Sequence, residues 1–182
     1  MEIVTVRDAS RQDFLEALDR EKYHVVHFSG TGIAWGARSG ASFEEQKLVL
    51  MNSGGGKLSP DAGIAVNQLV SAEQLQQALA KQNELRLVYL SACKTDWLAW
   101  RLAPSVPAVI GMRGDPSVNG CISFTEGMYT AILAGQPLDA AVSLGRERMN
   151  RKSPGVREWG LPALYMQMAA GVLLDAGGPG PM

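Results

Sequence analysis

The sequence is poor in the residues that usually carry chemistry: its 182 positions hold two histidines, His24 and His27, and two cysteines, Cys93 and Cys121. Two cysteines make no disulfide framework, and nothing around them has paired Cys/His metal spacing, so no metal site and no cofactor is expected. Charge of one sign is equally scarce, with 17 Lys and Arg against 18 Asp and Glu, which removes the basic footprint of a nucleic-acid binder. No apolar run approaches the ~18 residues of a membrane span, and "MEIVTVRDAS" has charges where a signal peptide needs an apolar core. The chain is expected to be soluble and cytoplasmic, with no nucleic-acid or membrane partner.

What is present is apolar and alternating. With 46% hydrophobic residues, the length suits one core. "EIVTV" reads as a strand, and Ser10 and Asp13 open a helix as a capping box. "YHVVHFSG" reads as a buried strand whose glycines turn the chain sharply out of the sheet. The stretch from Ile33 to Val70 reads as a surface insertion around "KLVLMN", an apolar run read as an antiparallel edge or hairpin strand, followed by a Gly and Ser loop. Ser71 and Gln74 cap a second helix, "LRLVYLSA" is the third strand, and "TDWLAWRLA" is a short helix capped by Thr95 or Asp96 and stopped by Pro104. "VPAVIGM" is the fourth strand. Two helices follow, "ISFTEGMYTAILAG" ending at Gly135 and "PLDAAVSLGRERMN" starting at Pro137. "GLPALYMQM" reads as a last strand.

Strands alternating with helices give the fold class α/β, a mostly parallel sheet of about five or six strands flanked by helices. The organisation is one domain over 1–170 and a Gly/Pro-rich flexible tail over 171–182. In such sheets chemistry sits beyond the carboxyl ends of the strands, where "HFSGTG" and "LSACKT" both fall. If their strands are neighbours, Thr31 and Cys93 come together at one edge.

These segments resemble the CHAT domains, caspase-like relatives of caspases, separases and gingipains. The likeness rests on "HFSGTG" against the pattern H-x-x-G-H-G, on "LVYLSACKT" and "VPAVIGMRGDPS", on "FTEGMYTAILAGQPLDAAVSLGRERM", and on "EWGLPALYM". It implies a caspase-like three-layer sandwich with Cys93 at the nucleophile position and the amide of Gly32, with that of Cys93, in the oxyanion hole. A thiol at a strand-to-helix turn beside Lys94 is expected to have a lowered pKa. The family's catalytic histidine is the second in its pattern, and here that position is Thr31, which cannot accept a proton near neutral pH. His27 matches the first, structural histidine and is the only fallback base, but it lies about 13 Å back along an extended strand.

Bland readings stand beside these. Cys121 is read as a packing residue. Thr31 is read as a donor to a bound carbonyl or as a local backbone partner. Asp115 either faces a cationic substrate side chain, as acidic residues do in several relatives, or is an Asp before Pro in a turn, the favoured reading. The four tryptophans, Trp35, Trp97, Trp100 and Trp159, are read as a peptide-binding surface or, since three fall near expected core faces, at least as well as packing residues. Relatives carry a further strand and helix ahead of "EIVTV" with no counterpart here. The expected function is therefore a catalytically impaired pseudo-peptidase acting as a regulatory or protein-interaction module. The partner is a protein or peptide, with self-association or a longer parent chain covering the open edge. The competing reading is an active cysteine endopeptidase using Cys93 with an unconventional or partner-supplied base.

Overall fold

The computed structural model describes residues 2–35, 45–50 and 68–168, together with 171 and 173. The first helix, α1 (Arg11–Arg20), starts at the expected capping box: Ser10 Oγ accepts from the Asp13 amide, and Asp13 Oδ2 accepts from the Ser10 amide at 3.0 Å. Strand β1 (Val25–Ser29) follows, then β2 (Thr31–Trp35), β3 (Glu45–Val49) and β4 (Leu69–Val70). Helix α2 (Ala72–Leu79) has its Ser71 and Gln74 capping box, and leads to β5 (Leu87–Ser91), α3 (Asp96–Leu102) and β6 (Ala108–Met112). Helices α4 (Val118–Leu133) and α5 (Leu138–Lys152), a 3-10 turn (Arg157–Gly160) and β7 (Pro162–Met166) complete the order.

The central sheet has the order β1-β5-β6-β7. Strands β1, β5 and β6 run parallel, and β7 is antiparallel to β6. Its faces follow the strand period of two. Val88, Leu90 and Val109 look towards α1, α2 and α3, where Leu18, Leu75, Leu79 and Leu98 join them in one core. Leu87, Tyr89 and Ile110 look the other way, onto Phe124 and Met128 of α4 and Ala141 and Val142 of α5. The result is a helix, sheet, helix sandwich. Among the described residues the central sheet has four strands, fewer than the alternation suggested, because β2, β3 and β4 form a separate antiparallel sheet.

Three sequence expectations change. "EIVTV" forms no ladder: residues 2–9 are described and none is in a strand, because a strand needs a partner as well as β-branched side chains. "KLVLMN" is no surface segment, since Leu48, Val49 and Leu50 are all buried against the main fold. Helix α4 begins at Val118 and not near Ile122, with Ser117 Oγ accepting from the Gly120 amide as its cap. Of the expected tail, Gly171 and Leu173 are described: the Gly171 carbonyl accepts from the Leu138 amide, and Leu173 is buried. The rest of it lies outside the described residues. No described helix is long and apolar enough to cross a membrane.

Candidate active site

Strands β1 and β5 are parallel and in register, with Ser29 opposite Ser91, so they end together. The Gly30 amide donates to the Ser91 carbonyl at 3.2 Å, and the chain enters β2 at once, Thr31 opposite Val49. "HFSGTG" is therefore a junction between two sheets and not a loop. Gly32 explains how the second sheet fits: a Cβ built there would collide with the Cys93 carbonyl oxygen and stand 2.9 Å from Thr95 Cγ2. Backbone cannot yield as a side-chain tip can, so this contact needs glycine. The structure thus sets Gly32, the residue after Thr31, directly against the turn that bears Cys93.

That turn is held from below by Thr95, which is fully buried. Its hydroxyl donates towards the Ala92 carbonyl at 2.9 Å and the Leu90 carbonyl at 3.1 Å, and accepts from the Met112 amide at 3.0 Å. Thr95 is formally the residue before α3, yet its side chain makes no cap bond because it is used in this clamp. The Lys94 amide donates to the Gly114 carbonyl and the Thr95 amide to that of Met112, tying the turn to the end of β6. Lys94 takes the left-handed region, φ 51°, which is uncommon for a residue with a side chain.

The Cys93 thiol is half-buried, and its pKa is pushed up, not down. Burial is the first cause. The Asp115 carboxylate is the second, acting by charge and by accepting the thiol's hydrogen bond, with Cys121 adding to it; the residue's own backbone N–H opposes them. The expected lowering fails for two physical reasons. Helix α3 has seven residues, starts three positions after the thiol and carries Asp96 in its first turn. The Lys94 ammonium pairs with Asp115 Oδ2 at 3.6 Å and so neutralises the carboxylate more than it serves the sulfur. Asp115 pairs with the Lys94 ammonium and at the same time acts on the thiol.

A row of polar groups runs back from the thiol along the α4 face of β5. Ser91 and Tyr89 share that face with Leu87, two residues apart. Ser91 interacts with the Cys121 thiol and with the Tyr89 hydroxyl, which also bonds Thr125 Oγ1 at 3.1 Å. Cys121, read from sequence as packing, is thus a neighbour of the site, and its own pKa is raised by burial. The signal was the period of β5 combined with a helix starting at Ser117; the late start assigned to α4 hid it.

His27 stacks on Tyr89, centroids 4.4 Å apart and planes 24° off parallel, with Tyr129 at 5.8 Å. It keeps an exposed edge, while desolvation of the stacked ring pushes its pKa down to about 4; solvent at that edge tempers the shift without reversing it. His24 is farther away still. It is exposed, 3.4 Å from Glu84, and its carbonyl accepts from Arg86 and Leu87 at the opposite end of β5. The side chains acting on the Cys93 thiol are Asp115 and Cys121, neither of them an imidazole.

The neutral His27 has a consequence for stability. With a folded pKa of about 4 against an ordinary 6.5, the unfolded chain binds the proton more tightly. The contribution is therefore complete above about pH 6.5 and is lost as pH falls from there through about 4. His27→Phe, which keeps the stacking, should flatten that part of the curve of melting temperature against pH; an unchanged slope would show that His27 does not set it.

Of the tryptophans, Trp97 packs against the core, under the Arg101 guanidinium at 5.5 Å, whereas Trp100 and Trp159 are exposed and so are not core residues. The side chain of Trp35 lies outside the described residues. Among the described residues no group of three or more His, Cys, Asp and Glu is placed to hold a metal ion. A protein-family model described as a CHAT domain matches residues 1–167, and no curated protein matches the sequence.

Proposed function

The chain belongs to the CHAT domain family, and on that premise we propose that this caspase-like module has lost efficient peptide hydrolysis and works by holding a protein or peptide segment at the old catalytic edge. The observation that carries the reading is the pair of surroundings at Thr31 and Cys93. The position expected to hold an imidazole carries a hydroxyl, and the thiol is kept protonated by burial and by Asp115. A cysteine nucleophile works as thiolate, so both features oppose turnover. Binding needs less. The Lys94 and Thr95 amides are engaged with carbonyls, and this reading assigns the Cys93 amide, alongside that of Gly32, to a carbonyl guest. Val118 and Ile122, on either side of Cys121, and Trp159, next to the Glu158 that bonds Ser117, are exposed apolar residues suited to a peptide's side chains.

The alternative is an active cysteine endopeptidase with Asp115 as its unconventional base, favoured by the hydrogen bond between thiol and carboxylate. Magnitudes weigh against it. An ordinary carboxyl and an ordinary thiol differ by about 4.6 pKa units, so the transfer is uphill by roughly 6 kcal/mol.

Alkylation of Cys93 with iodoacetamide across a pH series, read by peptide mass spectrometry, separates the two. The binding reading expects the rate to rise only at or above the ordinary thiol range, and Asp115→Asn to bring the midpoint down. A midpoint well below the free-thiol value of ~8.5 in the unaltered chain would overturn it.

A further inference from the structure

We infer that this chain pairs with a second copy by strand exchange, residues 2–6 of each copy adding to the open edge of β1 in the other. Among the described residues β1 ends the sheet order with β5 as its strand partner, and none of them pairs with its outer edge. A cavity of about 360 Å³ is lined by the whole of β1 and its exit, Val25 to Thr31, and also by Val4, Val6 and Asp8. An unpaired edge with a groove along it is a template for an added strand.

The chain itself carries a segment of the right kind. Ile3, Val4, Thr5 and Val6 are β-branched, a composition that suits strands. In the structure they sit in no ladder, with Ile3 73%, Val4 49% and Val6 47% exposed. A run of that type left in water near a strand edge that no described residue pairs is unsatisfied on both counts.

What stops the segment from closing on its own β1 is the hinge. The Ser10 and Asp13 capping box fixes the start of α1, so the path of residues 2–6 is set by Arg7, Asp8 and Ala9 alone. Asp8 is there in the left-handed region at φ 49°, a conformation that side chains other than glycine seldom take. A short, bent hinge invites exchange, because straightening it relieves the bend and carries the segment away from its own sheet towards another copy's. Exchange fills both edges with one operation, and the new backbone bonds replace bonds to water at the alternate residues of β1 whose amides and carbonyls face outward.

Light scattering over a concentration series tests this on the whole chain. The expected result is a dimer that dissociates on dilution. Thr5→Pro removes a ladder donor from a segment that makes no ladder within its own copy, so the fold should survive, with unchanged circular dichroism, while dimerisation weakens at least tenfold. Asp8→Val, whose β-branched side chain disfavours positive φ, should strengthen dimerisation several-fold. A chain monomeric at every concentration, or a dimer indifferent to Thr5→Pro, would overturn the inference. Neither result bears on the proposed loss of hydrolysis, which is read at Cys93.

Discussion

Thr31→His should turn a chain with little or no peptidase activity into one with measurable, Cys93-dependent cleavage of a suitable peptide. Thr31 is exposed, and the residue after it touches the carbonyl of Cys93, so a larger side chain is tolerated one residue from the turn that bears the thiol. An imidazole there would accept the thiol proton near neutral pH and return it to the leaving amine. General acid–base help of that kind is worth about 10² to 10⁴ in rate. The gain should lie at the low end while Asp115 holds the thiol up, and rise in the double variant Thr31→His/Asp115→Asn. Cys93→Ala in either background should abolish it. Hydrolysis by the unaltered chain that is lost on Cys93→Ala would sink the impaired reading. A silent double variant with Cys93 still alkylated normally would show that more than the base is missing.

The largest effect on stability is expected from Thr95→Val. The two side chains have nearly the same shape, so packing is kept while the hydroxyl clamp under the Cys93 turn is removed. Met112 loses the oxygen its amide donates to, the Ala92 carbonyl loses the hydroxyl donor, and the Leu90 carbonyl is left with the Ala92 amide, all within buried structure. Leaving a buried polar group unpaired costs about 1–3 kcal/mol. A total of about 2–3 kcal/mol would lower the melting temperature by roughly 4–12 °C in a chain of this size. Thr95→Ser keeps the oxygen and should lose less than half of that. Cys93 should also alkylate faster in Thr95→Val at fixed pH, because the turn that shields it is no longer anchored. Equal melting points for Thr95→Val and the unaltered chain would show that the clamp contributes nothing.

The sequence alone determined what is local or periodic. Both capping boxes are written in residues three apart, so α1 and α2 begin where expected. The apolar runs at 87–91 and 108–112 are buried on both faces, as central parallel strands must be, and every residue of each is buried. The order of those elements, with the quoted motifs, carried the family and the sandwich.

Only tertiary structure decided the rest, because each remaining feature depends on a partner distant in the chain. "EIVTV" has strand composition but pairs with no described strand of its own copy, whereas Thr31 to Trp35, broken by Gly32, is a strand because Glu45 to Val49 lies beside it. The Cys93 thiol shows this most clearly. Its chain neighbours, Lys94 and the start of α3, favour ionisation, and local reasoning gives them full weight. The fold brings in burial, Asp115 from beyond β6 and Cys121 from α4, and together these outweigh the local groups. A pKa sums what surrounds a group in space, and for Cys93 the groups that decide it are distant in sequence.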